Sequence, residues 1–216
     1  MFNITLSAGH ALVTPGKQTP DGYKEWSFNS GVVTKMMVLL ANYKDVAVLR
    51  LDDPSGKTDI PLAQRADRSD SFGAHFHLDV HANAAGPGGW YDAASGIETF
   101  TYKLSGESYE IGKKLQAALI GATGLKNRGV KNGDGLYMIK GVKAPSCLVE
   151  CGFMTNRTEA ALLKSADYQQ KIANPLVGAL VEHFKFVKRT PPPAPKPTHE
   201  TGKHYRVQVG ACSKLV

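Results

Sequence analysis

The chain has 216 residues, 42% of them hydrophobic, and carries 26 basic against 19 acidic side chains for a formal net charge of +7. That length fits one α/β domain with a short appendage and excludes a multidomain assembly, while the composition excludes a disordered chain. The charge is unevenly spread: after residue 186 six basic residues face one acidic residue, so +5 belongs to the tail and only +2 to everything before it. A nearly neutral body argues against nucleic acid as the partner.

Residues 1–6 (MFNITL) show neither a basic n-region nor an apolar h-region. The expectation is synthesis in the cytoplasm without a Sec signal peptide. No apolar run approaches the roughly 18 residues of a membrane span, so no membrane insertion is expected. Short apolar runs then alternate with helical periods, the pattern of an α/β fold with a mostly parallel twisted sheet flanked by helices. Strands are predicted at 3–7, 45–49, 75–80, 97–102 and 146–149. Val33, Met36, Met37 and Leu40 recur at i, i+3, i+4 and i+7, as do Ile111, Leu115, Ala118 and Leu119 with a similar period, and both sets predict amphipathic helices.

Asn156 followed by Glu159 suits a capping box before a helix at 160–164. Ile172, Leu176, Leu180 and Phe184 make a last helical stripe, which Pro175 is expected either to kink or to restart after Asn174. The main domain is predicted to span 1–188. Residues 189–203 hold five of the twelve prolines and no large apolar side chain, which predicts an extended linker. Residues 204–216 alternate like one strand and are too few to bury a core, so they read as a disordered tail or an unfinished domain.

The three cysteines, Cys147, Cys151 and Cys212, form no CxxC pair and no closed disulfide framework. Four other residues stand at or beside predicted strand ends: His10 after the first strand, Glu25 opening the first helix, His81 after the third strand and Glu150 after the fifth. In an open α/β sheet these positions converge on one edge. Two imidazoles and a carboxylate are a catalytic zinc set with a fourth position free, and a second carboxylate supplies a general base. There is no HExxH, and spacings of 15 and 56 residues between His10, Glu25 and His81 diagnose nothing by themselves.

Ordered motifs across residues 4–186 go further. Gly9-His10, Gly22-Tyr23-Lys24-Glu25, Arg50, Arg65, Val80-His81-Ala82-Asn83-Ala84, Gly96-Ile97-Glu98-Thr99, Arg128-Gly129-Val130-Lys131 and Leu148-Val149-Glu150-Cys151-Gly152-Phe153 follow one another in the chain. Together they resemble the zinc-dependent N-acetylmuramoyl-L-alanine amidases of the amidase-3 type, found in phage endolysins and bacterial autolysins. The resemblance implies Zn2+ held by His10, Glu25 and His81, with Glu150 as the catalytic acid/base. It implies hydrolysis of the amide between the lactyl group of N-acetylmuramic acid and L-alanine in peptidoglycan, by a monomer. Access to the wall would follow holin-mediated release or lysis. The segment 205–213 (YRVQVGACS) is similar to the first strand of a SPOR domain, and the basic tail is expected to attract anionic wall polymers.

The chain also departs from the family pattern. Ser7 and Ala11 stand where the family usually has Asp and a second Gly, which puts a partner of His10 in doubt. Before His81, the usual Asp and Ser are His75 and Asp79. On a strand His75, His77, Asp79 and His81 share one face, so His77 or Asp79 is a competing contact for the metal, with His81 preferred. Asn83 and Trp90 are the candidate substrate-binding residues, Trp90 because it sits in a Gly/Pro-rich loop; Trp26 is expected to pack the first helix on the sheet. A Cys151/His81 nucleophile pair is the alternative chemistry, set against buried, inert thiols. A metallopeptidase with the same ligands and a non-catalytic wall-binding module are the alternative functions.

Overall fold

The computed structural model describes residues 1–190. The expected linker from 191 on, the strand-like segment 204–216 and Cys212 lie outside the described residues. Six strands form one sheet in the order β2-β1-β3-β6-β4-β5. They are β1 (Phe2–Ala8), β2 (Val46–Arg50), β3 (Phe76–Asn83), β4 (Ile97–Thr101), β5 (Asn127–Asn132) and β6 (Ser146–Phe153). Every neighbouring pair is parallel except β4 against β6. The expected mostly parallel α/β sheet is therefore observed.

All five predicted strands exist, with shifted ends. Asp45 lies outside β2 because its φ is +56°, incompatible with a strand, while its carbonyl accepts from the Phe2 amide at 2.6 Å. β3 and β6 run past their predicted ends because they pair with each other through His81 and Glu150. Their register slips between His81 and Asn83, opposite Gly152, whose φ of 137° suits glycine at a bulge. β5 was not among the predicted strands: its sequence NRGVKN has no apolar alternation, and it is held as an edge strand by β4.

Helices α1 (Glu25–Leu40), α3 (Gly106–Thr123) and α6 (Ala166–Phe184) cover one face, and α2 (Leu62–Ser71) and the short α4 (Tyr137–Gly141) the other. On the first face Ile4, Leu6, Phe76, Leu78, Val80, Cys147 and Val149 pack against Phe28, Val32 and Met36 of α1, Leu115 of α3 and Leu176 of α6, all buried. α6 continues unbroken through Pro175. It starts on Ser165, whose hydroxyl accepts from the amides of Asp167 and Tyr168.

α5 (Arg157–Leu163) begins one turn earlier than expected. Asn156 caps it, accepting from the Glu159 amide at 3.0 Å, but Glu159 does not reach back to Asn156. Its carboxylate instead accepts from the amides of Gly96 and Phe153, each at 2.7 Å, tying the start of β4 to the end of β6. α2 and α4 went unpredicted: α2 buries little besides Arg65, Ala66 and Ser69, and α4 is a single turn. No described helix is long and apolar enough to cross a membrane.

Candidate active site

Adjacent Cα partners in a sheet point their side chains to the same side. His81 of β3 is partnered by Glu150 of β6, and Glu150 by Glu98 of β4, so three titratable side chains stand in one row across three strands. The row lies on the face opposite the large apolar core. Glu25 reaches it from the first turn of α1, where it is 2% exposed. α1 has no side-chain cap, because its N-cap residue is Lys24, whose ammonium offers no acceptor; the first-turn carboxylate of Glu25 faces the imidazoles.

The Glu25 carboxylate lies between two imidazoles. Its Oε1 is 3.1 Å from His81 Nδ1 and its Oε2 is 3.3 Å from His10 Nε2, while the two rings stand edge to face at 5.1 Å. One donor atom from each of His10, Glu25 and His81 lies within 4.8 Å of the others. Glu25 Oε1 also accepts from the Ala82 amide and from Asn29 Nδ2, each at 3.1 Å. Asn29, one helical turn beyond Glu25, donates in addition to the Gly9 carbonyl at 3.1 Å. Glu150 is half-buried outside this group, and its Oε2 is buried without a hydrogen-bond partner.

Electrostatics separate these groups. Burial pushes His10 down to about 4. Burial also disfavours a charged His81, yet Glu25, Glu150 and Asp79 outweigh it and hold that ring at about 9. Glu25 is depressed despite its burial, chiefly by the hydrogen bond and charge of His81 and the charge of His10. Burial raises Glu150 to about 8.

Two residues that the sequence supplied only as motif members, Gly9 and Arg65, shape the first imidazole's loop. A Cβ on Gly9 would stand 2.1 Å from His81 Cε1, so glycine lets the chain leaving β1 pass beside that ring. His10 itself has φ +64°, a strained conformation for a side chain of its size. Arg65, 1% exposed, clamps this loop: its Nη1 donates to Ala8 O and Ser7 Oγ at 2.8 Å, and its Nη2 to His10 O at 3.1 Å. Ser7 thus faces the arginine and leaves His10 to Glu25. Arg65 stood in a matched motif, but only the fold shows which carbonyls it holds.

The competing contacts are placed elsewhere. His75 Nδ1 accepts from the Asn3 amide at the far end of β3. His77 is fully buried between Thr5, at 3.0 Å, and Asp79, at 3.2 Å, and neither His77 nor Asp79 joins the three-residue donor group. Asn83 borders the cleft, though both ends of its amide are engaged: Nδ2 donates to Glu98 at 2.7 Å and Oδ1 accepts from the Ala84 amide at 2.8 Å. Trp90 lies under the Arg157 guanidinium at 5.3 Å and lines neither cavity beside His81. Trp26 packs in the core and donates to Asp52 at 3.1 Å. Cys147 and Cys151 are buried on the apolar face, where burial drives both thiols far up, which leaves no thiolate for a nucleophile.

Comparison with known proteins shows the family and the fold. The family model for N-acetylmuramoyl-L-alanine amidase (Amidase_3) matches residues 4–182. The N-acetylmuramoyl-L-alanine amidase LytC of Bacillus subtilis is 33% identical over 134 residues, which are 61% of this chain and 26% of that protein. The endolysin of Bacillus phage SPP1 is 30% identical over 201 residues, 89% of this chain and 70% of that one. The chain spans 26%, 50% and 59% of the length of three of its Bacillus subtilis relatives. Among solved structures, the catalytic domain of the amidase CwlV from Bacillus (Paenibacillus) polymyxa superposes with a TM-score of 0.77 at 25% identity, covering 86% of this chain and 99% of that one.

Proposed function

Because the chain belongs to the N-acetylmuramoyl-L-alanine amidase family, we propose that it hydrolyses the amide joining the lactyl group of N-acetylmuramic acid to L-alanine in peptidoglycan, with zinc as its metal. The observation that carries this reading is the gathering of His10, Glu25 and His81 beside a carboxylate, Glu150, that stays outside the group. The donor chemistry fits zinc, since two imidazoles and one carboxylate leave a fourth tetrahedral position open. His10, Glu25 and His81 would hold the ion, and Asn29 and the Ala82 amide fix the carboxylate between the rings. When bound, zinc supplies a Lewis acid that polarises the amide carbonyl and brings the pKa of water to about 7.

The remaining chemistry belongs to Glu150. Its free Oε2 faces no competing donor, so it is available to accept a proton from the attacking water. The protonated Glu150 would then pass that proton to the departing L-alanine nitrogen. All four groups come from one chain, which supports action as a monomer. The reading includes access to the wall through holin-mediated release or lysis, and attraction of anionic wall polymers by the basic tail.

Mass analysis of purified cell walls digested by the protein tests this. The expected products are intact stem peptides beginning with a free L-alanine amine, beside uncut glycan, and the activity should be lost to a chelator and restored by zinc. New reducing ends on the glycan, or cuts inside the stem peptide, would overturn it.

A further inference from the structure

Two chemically unlike cavities meet at His10 and His81. The first, of about 430 Å3, is walled by Ile60, Pro61, Leu62, Tyr137 and Met138. Of its carboxylates, Asp59 pairs with Arg65 at 3.2 Å, and Asp79 lies 3.2 Å from His77 without a hydrogen bond between those two atoms. The second, of about 390 Å3, is bordered by Lys17, Asn83, Glu98 and Glu150. Lys17 is exposed and makes no ion pair among the described residues.

Glu98, on the other wall, accepts from Arg128 Nε at 2.6 Å and from Lys131 Nζ, so two cations share one carboxylate. Lys131 also lies over the ring of Phe100, which borders the same cleft. Glu25 and Glu150, which also border this cleft, belong to the donor group and its acid/base; apart from them the cleft holds an unengaged Lys17 beside His10, and a Glu98 whose single carboxylate is shared by two cations.

A muramic acid residue whose lactyl carboxyl is tied up in the amide is uncharged, whereas a stem peptide carries carboxylates. We infer that the polar cleft receives the peptide side of the substrate and binds a free carboxylate close to the scissile amide, through Lys17 and the Arg128–Lys131 pair gathered behind Glu98, while the apolar cavity takes the sugar side. This orientation rests on the amidase reading. It makes Lys17 a specificity-determining residue, and it gives Glu98 the task of aiming Arg128 and Lys131. The half-exposed Tyr137 offers the sugar a ring to lie on.

The test compares two soluble muropeptides that differ only in the second peptide residue, one with a free α-carboxylate and one with an α-carboxamide. The wild-type protein should favour the carboxylate form by about tenfold in kcat/KM, carried by KM, as one charge-assisted hydrogen bond implies. Lys17→Met should bring that ratio close to one, and Lys17→Arg should retain it. Calorimetric titration with the released carboxylate and carboxamide peptides should show the same preference without turnover. Equal use of the two muropeptides by the wild type, or a preference that survives in Lys17→Met, would overturn the inference and leave the amidase reading standing. If neither muropeptide is cleaved, the two fall together.

Discussion

On the face of the sheet that meets α1, α3 and α6, β3 contributes Phe76, Leu78, Val80 and Ala82, all buried and apolar; on the opposite face the same strand contributes His77, Asp79, His81 and Asn83. Alternation along one strand thus serves two kinds of physics. The apolar face stabilises the fold by roughly 25 cal/mol for each Å2 it removes from water. The polar face costs free energy wherever its groups lack partners. The four side chains with unpartnered buried atoms among the described residues, Asn29, His77, Asp79 and Glu150, stand on that face or beside it. The site occupies the part of the fold that is least satisfied by its own packing, as expected where function competes with stability.

If the two faces are separable in this way, Leu78→Ala should have the largest effect on stability, about 3 kcal/mol by denaturant unfolding, since Leu78 is fully buried. Metal affinity per folded molecule should be unchanged. Gly9→Ala should do the reverse. The new methyl meets the His81 ring, so metal affinity should drop on the order of tenfold to a hundredfold while stability falls less than in Leu78→Ala. Equal metal affinity in the two variants would break the distinction.

A smaller effect is expected at Glu98. Burial alone would raise its carboxyl, but Lys131 and Arg128 outweigh burial and hold it below the usual range. A depressed folded pKa gives stability that is fully present above the unfolded value, about 4.3, and is lost as pH falls through the folded one. Glu98→Gln should therefore cost about 1 kcal/mol at pH 7, discounted because its cationic partners are partly exposed, and close to nothing in acid. A cost that grows on acidification would reverse the assignment. Smallest of all, Trp90→Ala should alter stability by less than about 0.5 kcal/mol and leave kcat/KM on cell walls nearly unchanged. A tenfold loss would put Trp90 in the path of the substrate.

The contrast between faces was partly legible in the chain. Period-two alternation in HFHLDVHAN announces a strand with one polar side, and helical periods announce α1 and α3, because repeated burial leaves a regular trace. The edge strand β5 and the one-turn α4 leave no such trace, since partner strands and loops hold them. His10, Glu25, His81 and Glu150 stood out through residue type, position and ordered motifs. The clamp of Arg65 on Ala8 and His10, the space that Gly9 leaves for His81 and the row from His81 through Glu150 to Glu98 did not. They depend on register across strands far apart in sequence. Asn29 was the nearest miss, being a buried polar residue four positions after Glu25 on the same helical face.

The central claim is that His10, Glu25 and His81 hold the metal while Glu150 moves the proton, and a Glu150→Gln protein tests it most directly. Zinc content and the rate of cell-wall clearance should be measured on the same sample. One zinc per chain with clearance reduced by about a thousandfold, within the usual reach of a general acid/base, is the predicted result. Clearance at the wild-type rate, or loss of the zinc together with the activity, would contradict it.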